Sequence, residues 1–210
     1  MMQKSSRKVS LIVVVLILIA VVLLVSFRHS NRSQHYISSR TPTILVHGYN
    51  SSYHAWDRLI RTAKARGITK TVEVAEVKKD GHVILHGQHI QGRRNPIVAI
   101  NFDANKRRNT AADARANEVG LDHVILALQR KEGMRRYNIV GHSMGNWNSL
   151  CFIADHGQDR SLPRLKKQVV LAGGGIHGWT QINNPGWNNY VKWRFAKLSH
   201  NYPRVPVLNI

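Results

Sequence analysis

The chain is short of acid. Of its 210 residues, 11 are Asp or Glu against 31 Lys or Arg, giving a formal charge of +20. No Asp or Glu follows Asp159. So one-sided a balance favours anionic neighbours such as phospholipid headgroups, anionic wall polymers or nucleic acid, although a merely solvated basic surface explains it equally well. Nucleic acid is the least favoured, because the bases are scattered and no recognised binding motif accompanies them. Cysteine is reduced to Cys151, which excludes an internal disulfide and hence a disulfide-stapled fold. Cys151 falls on the inward face of an amphipathic segment, where core packing is its default role. No internal repeat is present, and no cofactor is expected.

Long apolar runs are absent too, with one exception. From Leu11 to Val25 every residue is apolar, and the stretch Val9 to Phe27 is interrupted only by serines. As a helix it would measure roughly 28 Å, enough to cross a hydrocarbon core. Lys4, Arg7 and Lys8 precede it. A cleaved signal peptide competes, but the run is long for one and no A-x-A-like site follows. Residues 1–27 are therefore expected to be an uncleaved signal anchor. Arg28, Arg32 and Arg40 make the positive-inside comparison nearly even; a short tail inside and the domain outside is the simplest arrangement. Residues 28–41 read as a polar tether, and 42–210 as one domain.

The stretch that organises this domain is Tyr137-Asn138-Ile139-Val140-Gly141-His142-Ser143-Met144-Gly145. An apolar run stops at Gly141 and a helical pattern begins at Met144, with Trp147, Leu150, Cys151 and Ala154 on one face and Gly157 as its stop. Ser143 stands between Gly141 and Gly145 in a G-x-S-x-G arrangement. Isolated, that motif recurs by chance. Between a strand and a helix it describes a nucleophile elbow, a strained corner that lifts a hydroxyl above the sheet edge. The flanking glycines avoid collision with neighbouring strand and helix, and the helix presents its free N–H groups to the same point.

Earlier, Thr43–Val46 reads as a buried strand running into His47-Gly48-Tyr49-Asn50. An H-G pair at such a strand end supplies one oxyanion donor, and the residue after the serine supplies the other. The donors would be the backbone N–H groups of Tyr49 and Met144. A helix with a Trp56, Leu59, Ile60, Ala63 stripe follows and stops at Gly67. Strands are expected at Thr71–Val77 and His82–His86, joined by a type I′ turn at Asp80-Gly81. His82, His86 and His89 lie on this hairpin; no nearby carboxylate or thiolate completes a ligand set, so they read as surface histidines and no metal is expected. Ile97–Phe102 is another strand, Asp103–Arg108 a polar loop, and Thr110 with Asp113 a capping box for a helix with Leu121, Val124, Ile125 and Leu128 inward. Gln168–Leu171 and Val205–Ile210 complete the strands. Residues 176–204 lack clean periodicity and hold several aromatics; packing against the sheet is favoured over a cap above an acyl pocket.

The alternation of strands and helices, the early H-G and the central elbow give an α/β-hydrolase pattern, with a mostly parallel sheet and helices on both faces. Thr43–Asn50, the Asp-Gly hairpin, Asn95–Phe102 and Gly141–Gly145 together resemble a bacterial family of cell-surface α/β-hydrolases, lipase-like and exported or anchored. The resemblance implies that Ser143 matches the nucleophile and that Tyr49 and Met144 match the oxyanion donors. It also implies an acid just after the final strand and a histidine beyond it, neither of which this chain supplies. Asp155 and Asp159 should point away from the serine. His156, His177 and His200 follow Ser143, but none follows a final strand. Asn146 stands where a further glycine is common. The domain therefore reads as C-terminally incomplete. Two functions remain open: a membrane-anchored serine hydrolase acting on an unidentified ester, weakened by the missing acid and base, or a non-catalytic envelope protein holding anionic lipids or wall polymers.

Overall fold

The computed structural model of the chain describes residues 17–22, 36–103, 111–173 and 185–210. Residues 17–22 are helical, within a unit that ends at Ile37; the second unit runs from Ser38 to Ile210. No helix among the described residues is long and apolar enough to cross a membrane. Residues 9–16 and 23–27 of the expected span lie outside the described residues.

Short apolar runs bounded by polar turns build one seven-stranded sheet in the second unit. The strands are β1 (Thr43–Val46), β2 (Val72–Val77), β3 (Val83–Gly87), β4 (Ile97–Phe102), β5 (Arg136–His142), β6 (Arg164–Leu171) and β7 (Val207–Asn209), in the order β3-β2-β4-β1-β5-β6-β7. Neighbours run parallel except β2 and β3, which form a hairpin. The helices are α1 (Asp57–Ala65), α2 (Ala111–Glu132), α3 (Met144–His156) and α4 (Pro185–Asn201).

Alternation along the central strands divides the core. Ile44, Val46, Val98, Ile100 and Ile139 pack with Leu121, Val124, Ile125 and Leu128 of α2 and Phe152 and Ile153 of α3. The opposite phase, Leu45 and Ile97 with partly buried Val140 and Leu171, packs with Trp56 and Ala63 at α1. Helices thus cover both faces, as a sheet of buried parallel strands requires.

Several local expectations change. The β2–β3 connection is not a type I′ turn, because Gly81 has a positive φ (84°) and Asp80 does not. The Gly81 N–H donates to the Lys78 carbonyl at 2.8 Å, and Lys78 N–H to the His82 carbonyl at 2.8 Å; this is a three-residue loop with glycine in the left-handed position. Leu59 is 42% exposed, so it leaves the α1 stripe. β6 begins at Arg164, four residues before the expected start, because the polar residues of its N-terminal half still pair with β5. Thr110 lies outside the described residues, and α2 starts at Ala111.

The largest difference is α4, a helix where no period was legible. Tyr190, Val191, Arg194 and Leu198 form its inward line, while Trp193 and Phe195 are half-exposed. Aromatics on both sides hid the stripe. A polar network fixes it instead. Buried Glu118 of α2 accepts from the Trp147 indole at 2.7 Å, the Tyr190 hydroxyl and Arg194 Nη2 at 3.1 Å. Arg194 and Lys197 both pair with Asp155 of α3. Cys151 lies in the same small cluster, where burial, followed by the Glu118 charge, pushes its thiol up and leaves it inert.

Removing Glu118 would take from the interior the one carboxylate that Trp147, Tyr190 and Arg194 share. Glu118→Ala is expected to cost about 3 kcal/mol and to lower Tm by roughly 6–12 °C in a thermal melt.

Candidate active site

Ser143 sits at the corner between β5 and α3 with φ 51° and ψ −119°, a left-handed conformation that a non-glycine residue adopts only when its surroundings enforce it. Those surroundings can be named. Its N–H donates to the Leu171 carbonyl of β6 at 3.1 Å. Asn146, fully buried, donates its amide to the same carbonyl at 2.8 Å, so the expected extra glycine is replaced by a side chain that ties the helix to the sheet. A Cβ on Gly145 would sit 2.8 Å from the His47 carbonyl and closer still to that of Val46. On Gly141 it would lie 2.9 Å from the Asn146 nitrogen. Both glycines are therefore dictated by the closeness of backbone to backbone.

The H-G loop lies beside this corner. A Cβ on Gly48 would be 3.2 Å from that of Ser143 and 3.2 Å from the His142 carbonyl, so the loop and the elbow are in contact and Tyr49 follows directly. His47 does not face the reaction space. It is fully buried, with Nδ1 on the Gly48 carbonyl at 2.9 Å and Nε2 accepting the Phe102 N–H at 3.3 Å. Burial lowers its pKa, so the ring stays neutral and carries its proton on Nδ1. His47 thus pins the loop after β1 to the end of β4. Met144, at the first position of α3, has its N–H among those with no acceptor inside the helix.

Among the described residues, no proton acceptor of the kind a serine nucleophile needs is brought to Ser143. Its hydroxyl has no hydrogen-bond partner among the described residues. His142 is adjacent in the chain and exposed. His156, at the far end of α3, pairs with Asp122 at 3.4 Å, which raises its pKa. Asp155 is held by Arg194 and Lys197, and Asp159 by Ser161. His200 lies near the end of α4, and His177 lies outside the described residues, as do residues 104–110 and 174–184, which follow the ends of β4 and β6.

Two of the three hairpin histidines, His86 and His89, do have carboxylate partners, contrary to expectation. His86 Nε2 lies 2.9 Å from Glu76, which also holds Lys78. His89 Nδ1 lies 2.5 Å from Glu132, at the end of α2. Glu132 is distant in sequence and nothing local announces it. Glu73 was legible, since it shares the buried phase of β2 with Ala75 and Val77.

Residues 30–185 match the model of a family described as alpha/beta hydrolase of unknown function, DUF915. Among solved structures, the chain is similar to a cell surface hydrolase from Lactobacillus plantarum WCFS1, with a TM-score of 0.65 at 19% identity over 81% of this chain and 68% of that one. It is also similar to a gene product of Listeria innocua, with a TM-score of 0.62 at 18% identity over 80% of this chain and 68% of that one. At such identities these likenesses speak for the fold. No curated protein matches the chain. With its sheet order, its elbow and a family match over most of its length, the chain belongs to this family of α/β-hydrolases of unknown function.

Proposed function

We propose that this α/β-hydrolase is a membrane-anchored serine esterase, with Ser143 as nucleophile and the Tyr49 and Met144 amides as oxyanion donors. The observation that carries this reading is the strained Ser143 backbone beside the Gly48 loop. In the step envisaged, Ser143 Oγ attacks the ester carbonyl and the C=O π electrons move onto oxygen, where the two amides meet the charge. Collapse expels the alcohol, which takes up a proton, and water then releases the acid from the acyl-serine. With no imidazole bonded to the serine among the described residues, the serine proton passes to solvent and the reaction is slow. Covalent labelling is thus a better readout than turnover. A fluorophosphonate should label the wild type at one site per chain and Ser143→Ala not at all, with ester turnover at most about 10³–10⁴-fold over water. Equal labelling of both proteins would exclude Ser143 as the nucleophile.

Localisation follows the same reading. The Lactobacillus structure is described as a cell surface hydrolase, and the apolar run Leu11–Val25 supports an anchor in this chain. The full chain should stay with membranes through an alkaline carbonate wash, whereas a chain beginning at residue 42 should be released.

A second reading, a basic envelope protein that binds anionic lipids, is favoured by one surface. At the N-terminal edge of β5 and β6, a cavity of about 520 Å³ is lined by Arg135, Arg136, Arg160, Arg164 and Lys166. None of these forms an ion pair among the described residues. The domain's first residues lie on the same edge, with the Ser39 carbonyl accepting from Asn95 N–H and that of Pro42 from Asn138 N–H. The two readings are compatible, because this edge is opposite Ser143. Replacing Arg135, Arg160 and Arg164 by Glu should abolish co-flotation of the 42–210 chain with phosphatidylglycerol vesicles at low salt. Fluorophosphonate labelling should be unaffected.

A further inference from the structure

We infer that Glu73, His89 and Glu132 form a site for one divalent transition-metal ion of the Zn²⁺ type, at the end of the sheet opposite Ser143. The three residues come from separate elements: the start of β2, the loop after β3 and the last position of α2. One donor atom from each lies within 4.8 Å of the others. Both carboxylates are buried, Glu73 at 2% and Glu132 at 3% exposure.

The two glutamates are not equally satisfied. Glu132 receives His89 Nδ1 on one oxygen and the Ile90 N–H on the other, at 2.5 and 3.0 Å. Glu73 Oε2 is buried with no hydrogen-bond partner. A buried carboxylate oxygen without a donor, next to a second carboxylate, is an unstable arrangement for two anions. Burial, and then the charge of Glu132, push the Glu73 carboxyl up to about 7. His89, drawn by Glu132, is raised in turn. The charges of His89 and then of Lys131 offset the rise at Glu73 only in part. A divalent ion supplies what is missing, namely positive charge and a partner for the orphaned oxygen.

The donor set indicates the kind of ion. One imidazole and two carboxylates without thiolate suit Zn²⁺, Mn²⁺ or Co²⁺ better than Ca²⁺ or Mg²⁺. Bonds of about 2.1 Å require donor separations of no more than about 4.2 Å, so the cluster must close by roughly half an ångström. His89 has an 84% exposed side chain and can make that movement. An adjoining cavity of about 540 Å³, lined in part by Ile90, Gln91, Gly92, Glu132 and Gly133, gives access. Glu73 is level with Val98, Ile44 and Ile139 across the sheet. Ser143 is four residues beyond Ile139 and three strands from β2, placing the cluster about 20 Å away. The ion would therefore be structural, joining hairpin, sheet and helix end.

The test uses the full chain in detergent micelles, stripped with EDTA and titrated with ZnCl₂ at pH 8 by calorimetry, with CoCl₂ as a spectroscopic probe. Expected are one ion per chain, d–d absorption with Co²⁺, and a Tm rise of roughly 5–11 °C at a hundredfold excess over Kd. Glu73→Gln should fold with a metal-free Tm at or above that of wild type, since it removes a buried charge, yet lose more than the roughly 10–100-fold in affinity typical of outer partners. His86→Ala, at the neighbouring Glu76 pair, should bind as wild type. Affinity should fall from pH 8 to pH 6, as protons on Glu73 and His89 compete with the metal. No stoichiometric binding, or equal binding by Glu73→Gln, overturns the site; loss in His86→Ala instead moves it to Glu76.

Discussion

The C-terminal edge of the sheet depends on one backbone approach, that of Gly145 to the carbonyls at the end of β1. It seats α3 directly on the strand, with no room for a methyl group between them. Because α3 cannot rise, the residue that joins it to β5 must turn through a conformation that Ser143 would otherwise avoid. The same seating brings the loop that begins at His47 against the corner. His47 then holds this loop from below, kept neutral by burial, which outweighs the opposing pull of the Gly48 carbonyl. The site is thus a by-product of close packing, with strain localised at one residue and absorbed by a well-filled core.

The molecule separates its chemistries by sheet edge. The C-terminal ends of the strands carry the elbow, the loop and three of the four positive-φ non-glycine residues among the described ones, Asn50, Ser143 and Ala172; the fourth, Asn95, precedes β4. The N-terminal ends carry arginines that form no ion pair among the described residues, and the buried glutamate pair. In a parallel sheet this separation comes at no extra structural cost, since every strand contributes one end to each edge. The proposed catalytic corner and the proposed lipid-binding surface therefore lie at opposite edges of one sheet.

Much of this was legible in the sequence wherever local chemistry dictates local structure. The apolar runs at Thr43–Val46 and Ile97–Phe102 gave strands with the expected bounds, and Gly141, Ser143 and Gly145 located the corner because only glycine tolerates such contacts. What was not legible depends on distant partners. α4 is amphipathic only once Glu118 and Asp155 are known to receive Arg194 and Lys197, so its polar residues looked like loop. His89 looked like a surface histidine because Glu132 is more than forty residues away. The turn at Gly81 was misjudged for a smaller reason: Asp-Gly fits two hairpin geometries, and register chooses between them.

One carbonyl, that of Leu171, receives both Ser143 and Asn146, and its direction is set by Ala172, which has a positive φ of 50°. The Ala172 N–H donates in turn to the backbone oxygen of Ile210, beyond β7, at 3.0 Å. β7 has almost no buried side chains, and Val207, Leu208 and Ile210 are each at least half exposed. A strand kept in place mainly by its ladder is among the first segments to fray. Every such opening would release the Ala172 N–H, one of the bonds around the Leu171 carbonyl on which the elbow rests.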